Sequence, residues 1–519
     1  MKRIKSIEFG LSCVEILIHS VVRAINTMLP WKTIIQLQKD AETPVFLQIA
    51  NAIIQEMKKG RVGPGIKLPG TRQMSEILSV HRKTLVRAYE ELDAQGWIEL
   101  IPSKGTFTSK TIPEINPRRF SGKPEKNNSF PKATGFLVKI NDKIRTPVLP
   151  FRNITGFHDG PDVRLMPVDE IGKAYKSILS RKINLKYLSY VEIAGVQKFR
   201  TVLSDYLNQS RGLQTGHENI MVTRGSQMGL YLLSKVLFGK GDTIVVGNSN
   251  YYYADHVFEN VGVQLRRVRV DESGIDVDEI ERICRRKKIK AVYITSHHHY
   301  PTTVTLIASR RIQLLCLSEK YGFIIIEDDY DYDFHYLSSP ILPLISADPK
   351  GMVIYIGTLS KTIAPAIRTG YVVAPVNLIL ELCRVRQLVD TQGDPIMELA
   401  LAEMFEDGEI KRHMKKALNE YHRRRDFLCS YLHQALSDII DFKIPDGGLA
   451  IWAKFDKAFP LPELSQKLRP QGIILSNGLI HNTSPQSLNA TRMGFAWMNE
   501  KEAEQAINIL TRTIKSGNR

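Results

Sequence analysis

Residues 355–370 read Tyr355-Ile356-Gly357-Thr358-Leu359-Ser360-Lys361-Thr362-Ile363-Ala364-Pro365-Ala366-Ile367-Arg368-Thr369-Gly370. The preceding run, 352–356, is apolar on both faces, as a fully buried strand is. A lysine lies just beyond it, with hydroxyls at Thr358 and Ser360 and an arginine seven positions on. A lone lysine is usually a solvated surface group. This spacing instead suits pyridoxal phosphate: the amine forms a Schiff base with the aldehyde, and small hydroxyls with a guanidinium hold the dianionic phosphate. Upstream, Phe323-Ile324-Ile325-Ile326-Glu327-Asp328-Asp329-Tyr330 sets carboxylates at the end of a second apolar run. That cofactor needs one carboxylate against its pyridine nitrogen, which keeps it protonated as an electron sink. An acidic turn or a magnesium site is the other reading, but no Gly-x-x-x-x-Gly-Lys phosphate loop accompanies it.

Two more short apolar runs, 243–246 and 291–295, complete a set of four, each separated from the next by room for a helix. The pattern predicts an α/β domain with a mostly parallel, buried sheet from about residue 151. The whole chain has 519 residues, enough for two or three domains. Its 43% apolar and 24% charged residues exclude a largely disordered or collagen-like chain. With 71 Lys+Arg against 54 Asp+Glu the net charge is +17, which favours an anionic partner. Cys13, Cys284, Cys316, Cys383 and Cys429 show no paired spacing, so a disulfide scaffold or metal site is not expected and a reducing cytoplasm is. No apolar run approaches the ~18–20 residues that span a bilayer, and no membrane role is expected.

Lys2, Arg3 and Lys5 precede a largely apolar stretch, 7–25, that superficially resembles a signal peptide. Glu8, Glu15, His19 and Arg23 interrupt it, and no small-residue cleavage site follows. Residues 1–30 are read as an extension outside the fold, of which 1–27 are dispensable. Residues 110–150 carry six prolines and nine basic residues without periodicity, which reads as an extended linker.

Between them, residues 31–109 are dense in short helical segments. A first helix is expected over 45–57, with Ile49, Ala52, Ile53 and Met57 on one face. Thr71 is expected to cap a second helix ending at Leu78. A tight connection at Ser79-Val80 leads to a third, 82–94, with Leu85, Ala88, Tyr89 and Leu92 inward and Arg82, Lys83 and Arg87 outward. Gly96 stops it, and 97–101 and 106–108 form a hairpin about a Pro-Ser-Lys-Gly turn. This is the element order of a winged helix-turn-helix, whose third helix enters the major groove of double-stranded DNA. A basic helix alone is more often a solvated face; here the order, the turn and the wing agree.

Leu68-Pro69-Gly70-Thr71-Arg72, Val80-His81-Arg82-Lys83-Thr84, Ala88-Tyr89-Glu90-Glu91-Leu92, Gly96-Trp97-Ile98 and Lys104-Gly105-Thr106-Phe107 resemble the DNA-binding domain of the GntR family. The resemblance implies that Arg72, His81, Arg82, Lys83, Thr84 and Lys104 contact DNA. Thr71 replaces the usual Ser, and His81-Arg82-Lys83 the usual Ser-Arg-Asn, so base preference does not carry over. The large domain, 151–519, resembles fold-type I aminotransferases, and residues 31–515 as a whole resemble the MocR/GabR family of transcription regulators. Gly156-Phe157-His158-Asp159-Gly160-Pro161-Asp162, Gly195-Val196-Gln197-Lys198-Phe199-Arg200, Ser210-Arg211-Gly212-Leu213, Thr223-Arg224-Gly225-Ser226-Gln227, Gly447-Gly448-Leu449 and Arg492-Met493-Gly494-Phe495 carry that resemblance.

It implies pyridoxal 5'-phosphate on Lys361, with Asp328 at the pyridine nitrogen and Tyr330 at the ring hydroxyl. Gly225, Ser226, Gln227, Thr358, Ser360 and Arg368 would surround the phosphate, Tyr251 would stack on the ring, and Arg492 would clamp an effector's carboxylate. It further implies a homodimer, and an amino-compound effector sensed by exchange at the Lys361 Schiff base. The alternative is a working aminotransferase with an appended DNA-binding module. Three departures leave effector identity open. The family's His-Gln-x-Pro with its following glycine is His298-His299-Tyr300-Pro301-Thr302-Thr303, and its acidic Pro-Gly-Tyr stretch is Gly247-Asn248-Ser249-Asn250-Tyr251. Tyr253 stands where GABA-responsive members carry an arginine. The run His297-His298-His299 suggests a metal only superficially, since consecutive residues of an extended segment point to alternate sides.

Overall fold

The apolar runs of the larger region become strands of one sheet in a computed structural model of the chain. It describes residues 30–38, 43–111, 133–138, 155–336, 341–482 and 488–516. The chain divides into two compact units, residues 1–138 and 139–519. The N-terminal extension, apart from Pro30, and most of the expected linker lie outside the described residues.

In the smaller unit, helices α1 (Val45–Lys58), α2 (Thr71–Leu78) and α3 (Arg82–Ala94) are followed by an antiparallel hairpin of β1 (Ile98–Ile101) and β2 (Gly105–Thr108). Residues at helical spacing bury one face of each helix: Ile49, Ile53 and Met57 of α1 meet Met74 of α2 and Leu85, Ala88, Tyr89 and Leu92 of α3. Ala52 is only half-buried, while Ile54 goes inside. Trp31 closes the same core. Ser79 takes the left-handed conformation at φ 54°, and this turns the chain sharply between α2 and α3. The Tyr89 hydroxyl donates to the Pro69 carbonyl at 2.8 Å and ties α3 to the segment before α2. One expectation needs correction. Thr71 is the first residue of α2 rather than its cap, because Gly70, at φ −62° and ψ 157°, already has the extended cap conformation.

The larger unit is built on a seven-stranded sheet. Its strands are β3 (Ile220–Thr223), β4 (Thr243–Gly247), β5 (Gln264–Val268), β6 (Ala291–Ile294), β7 (Ile324–Asp329), β8 (Val353–Thr358) and β9 (Gly370–Val373). They lie in the order β3-β9-β8-β7-β6-β4-β5. All neighbours are parallel except β9, which runs antiparallel to both β8 and β3. Central strands are buried along nearly their whole length, as helix-covered parallel strands are. A separate three-stranded antiparallel sheet contains Ile440–Asp441, β10 (Ala450–Phe455) and β11 (Ala490–Gly494). It shares a core with the helices Glu409–Leu436 and Glu500–Ser516. Register places Asp328 of β7 beside Ile356 of β8, so the acidic end of one strand adjoins the strand that leads to Lys361. No helix among the described residues is long and apolar enough to cross a membrane.

Candidate functional site

Beyond the carboxyl ends of β7 and β8 lies a cavity of about 370 Å³. Ser226, Gln227, Tyr251, Asp328, Tyr330, Thr358, Ser360, Lys361 and Arg368 all line it. Gly225 sits directly behind at φ 75°, a backbone conformation that favours glycine, and a Cβ there would stand 2.7 Å from Arg368 Nη2 and displace that guanidinium. Ser226 and Gln227 open the helix α4 (Ser226–Leu237), and the free N–H groups of a helix N-terminus favour an anion.

Asp328 is buried at the end of β7. Its Oδ2 accepts the Tyr293 hydroxyl at 2.8 Å, while its Oδ1 is buried with no hydrogen-bond partner among the described residues. Burial pushes its carboxyl up to about 7; Asp329 and Asp331 add to the rise and the Tyr293 bond opposes it. Such a carboxylate awaits a cationic donor. Ser360 Oγ is likewise buried and unpartnered. Thr358 Oγ1 accepts from the Ser360 amide at 3.1 Å and donates to the Thr369 carbonyl at 3.2 Å, which fixes the start of the lysine loop. Lys361 Nζ donates to the Asp159 backbone carbonyl at 2.8 Å. Arg368 adopts φ 53° and donates from Nη2 to the Arg224 carbonyl at 3.2 Å. The Tyr251 hydroxyl accepts from Gln227 Nε2 at 3.3 Å, and its ring meets Tyr300 edge to face at 5.2 Å. The Tyr330 hydroxyl donates to the His298 carbonyl at 3.1 Å.

The expected effector clamp has a partner within the chain. Arg492 of β11 is buried, and its Nε and Nη2 donate to the two carboxylate oxygens of Asp159 at 2.7 and 2.9 Å. Nothing in the local sequence marks Asp159 as a site residue, because only the tertiary fold brings it to Arg492. Tyr293 and Thr295 also line the cavity, although in the sequence they read only as members of a buried apolar run. The three consecutive histidines diverge: His297 Nδ1 lies 3.1 Å from Asp329 Oδ2, His298 Nδ1 2.8 Å from Asp331 Oδ1, and His299 Nδ1 2.8 Å from Thr302 Oγ1. Tyr253 packs against Tyr252 with ring centroids 3.9 Å apart.

In the smaller unit Arg72, His81, Arg82, Lys83 and Lys104 are exposed, and Thr84 is half-buried. His81 Nδ1 accepts the Lys83 amide at 3.2 Å and caps α3. Among the described residues no ion pair holds Arg72, Arg82, Lys83 or Lys104. Arg87 differs, since its guanidinium covers the Phe46 ring at 4.3 Å.

Residues 159–510 match the family of aminotransferases of class I and II. The chain belongs to that family. Residues 46–108 match the bacterial regulatory proteins of the gntR family, so this aminotransferase-family chain also carries a gntR-type winged helix-turn-helix. The probable rhizopine catabolism regulatory protein MocR of Rhizobium meliloti is 25% identical over 91% of this chain and 94% of its own length. The HTH-type transcriptional regulator NorG of Staphylococcus aureus is 28% identical over 87% of this chain and its full length. Among solved structures, the kynurenine aminotransferase of Pyrococcus horikoshii in complex with PMP superposes with a TM-score of 0.66 at 25% identity. The match covers 71% of this chain and 92% of that one. A gntR-type unit followed by an aminotransferase unit is the MocR-type arrangement. In this aminotransferase-family member the unpartnered Asp328 oxygen, the lysine and the anion cradle of Gly225, α4 and Arg368 fit pyridoxal phosphate, and the cofactor of the fold is pyridoxal phosphate.

Proposed function

We propose that the protein is a pyridoxal phosphate-dependent transcription regulator that senses an amino compound in its aminotransferase-like unit and responds through its DNA-binding unit. One observation carries the reading. Lys361 and a buried carboxylate oxygen without a donor share one cavity, on a chain whose α3 also presents an unpaired basic N-terminus. Lys361 holds the cofactor, which when bound supplies an electron-withdrawing ring and a reactive aldehyde carbon. Asp328 Oδ1 would receive the pyridine N–H. The α4 N-terminus, Ser360, Thr358 and Arg368 would hold the phosphate, with Tyr251 at a ring face and Tyr330 at the ring hydroxyl. A primary amine in the cavity would compete with the Lys361 amine for the cofactor's aldehyde carbon, and Lys361 would be the group released. Operator affinity then changes to the extent that the amine binds the two states of the protein unequally.

Arg82, Lys83 and Lys104, with Arg72, His81 and Thr84, meet the phosphates and base edges of an operator. A homodimer supplies two recognition helices for two half-sites. Support for a homodimer comes from exposed apolar side chains on the larger unit: Ile183, Leu185, Leu188, Tyr190 and Leu388. The reducing cytoplasm is the compartment that suits free cysteines and access to DNA.

The test uses the full chain loaded with pyridoxal phosphate, and DNA recovered by selection from a random duplex library. Selective DNA binding whose affinity changes when a primary amine alters the cofactor's visible absorbance is the expected result. Sustained amino transfer to a keto acid, with DNA affinity unaltered by any amine, would instead assign the chain to catalysis. Sedimentation of the full chain should give a dimer, and Leu188→Glu/Leu388→Glu should give a monomer.

A further inference from the structure

Three of the five N–H donors of Arg492, including its Nε–Nη2 pair, are engaged within the chain. Beyond the two bonds to Asp159, its Nη1 donates to the Pro301 carbonyl at 3.2 Å, and the guanidinium lies over the Tyr300 ring at 4.9 Å. Asp159 lines the cavity and Arg492 does not. The pair is held from behind by the backbone. Gly494, two residues past Arg492, faces the Asp159 segment so closely that a Cβ would stand 1.7 Å from the His158 carbonyl oxygen, and its own amide donates to the Phe157 carbonyl at 3.3 Å. Burial alone would push the Asp159 carboxyl up; Arg492 and Lys361 outweigh that and hold it down at about 2, so it is ionised at neutral pH. Around it stand Arg492, Lys361 and His481, and burial with Arg492 pushes the His481 ring down to about 4, which leaves it uncharged.

We propose that Asp159 is a specificity-determining residue. It fills the arginine clamp from within the chain, so the site takes a primary amine that bears no carboxylate in preference to an amino acid. This rests on the amine-sensing reading above. A two-point guanidinium–carboxylate pair is among the strongest polar contacts in proteins, and a ligand carboxylate would take the paired Nε–Nη2 edge of Arg492 only by expelling Asp159. The expelled carboxylate would then stand beside the incoming one, two anions sharing the cations Arg492 and Lys361. Tyr251, Tyr293, Tyr300 and Tyr330 also line the cavity, and their rings accept an alkyl or aryl body.

Two measurements test the assignment. Glutarate, which has carboxylates and no amine, should show no heat of binding to the wild type and should bind both Asp159→Asn and Asp159→Ala. Adding Arg492→Gln to either variant should remove that binding. In the loaded full chain, phenethylamine should alter the cofactor's absorbance at a concentration at least tenfold lower than phenylalanine, and butylamine likewise against 4-aminobutyrate; Asp159→Asn should reverse both orders. Glutarate binding by the wild type, or an unchanged amine-to-amino-acid ratio in variants that retain cofactor, overturns the role of Asp159. Absorbance that responds to neither member of a pair, while glutarate behaves as expected, overturns the sensing reading instead.

Discussion

The cofactor cavity and the recognition helix are opposite kinds of site. At the floor of the cavity Asp328 and Ser360 are buried, where polar atoms must be satisfied, so their exceptions speak: Asp328 Oδ1 and Ser360 Oγ mark where a ligand's groups belong. On α3 the side chains of Arg82 and Lys83 stand in solvent, where an unpaired charge costs nothing and identifies nothing by itself. The buried site can be read atom by atom, whereas the exposed one must be read from element order and from the family match. Perturbation should separate them in the same way, with abrupt losses in the cavity and graded, salt-dependent losses on the helix.

The largest expected effect is that of Lys361→Ala. The visible absorbance of bound cofactor should vanish, and borohydride should no longer fix it to the chain; a retained borohydride adduct would move the attachment elsewhere. Next comes Asp328→Asn in cofactor-free protein. The folded carboxyl titrates near 7 and the unfolded one near 4, so the stability it contributes is whole below about pH 4 and is lost as pH rises through 7. Asparagine removes that loss. Wild type and variant should have similar urea midpoints at pH 4, and at pH 8 the variant should be more stable by up to about 4 kcal/mol. Asp159 and Asp329, held down at about 2, act only below that window. Parallel pH profiles would deny Asp328 its raised titration.

For the recognition helix, Arg82→Ala/Lys83→Ala should lower the slope of log affinity against log salt by about two, roughly one per phosphate contact. An unchanged slope would take α3 out of the interface. Tyr89→Phe, which deletes the bond to Pro69, should lower stability of the smaller unit by about 1 kcal/mol without altering that slope. The smallest effect belongs to the N-terminal extension: a chain starting at Met28 should bind cofactor and DNA as the full chain does, and loss of either would give residues 1–27 a role.

Much of this was legible because the chemistry is local in sequence. Lys361, its hydroxyls and Arg368 fall within eleven residues of one another, and Asp328 ends an unmistakable apolar run. All four apolar runs entered the main sheet. Of the other strands of that sheet, β5 is an edge strand with Arg266 and Arg267 in its middle, whereas β3 and β9 are as buried as the central strands and differ in the antiparallel pairing of β9. In the smaller unit the helix limits came through because Ser79 and Gly96 mark abrupt changes of backbone direction. Partnerships across the chain did not come through. Asp159 and Arg492 are 333 positions apart, and Tyr293 meets Asp328 only because β6 and β7 are neighbours. No periodicity encodes such meetings.

The excursion from β8 to β9 has one more consequence. It leaves the sheet at Thr358 and re-enters at Gly370, with its feet joined by the Leu359 amide and the Thr369 carbonyl at 2.9 Å. Lys361 hangs near one foot and Arg368 near the other, so the loop works as a clasp with two prongs of fixed span. Lengthening it by a single residue would leave both prongs present and chemically intact, yet spoil the gauge between them. The tolerance of this site is therefore set in ångströms of loop as much as in the identity of its side chains.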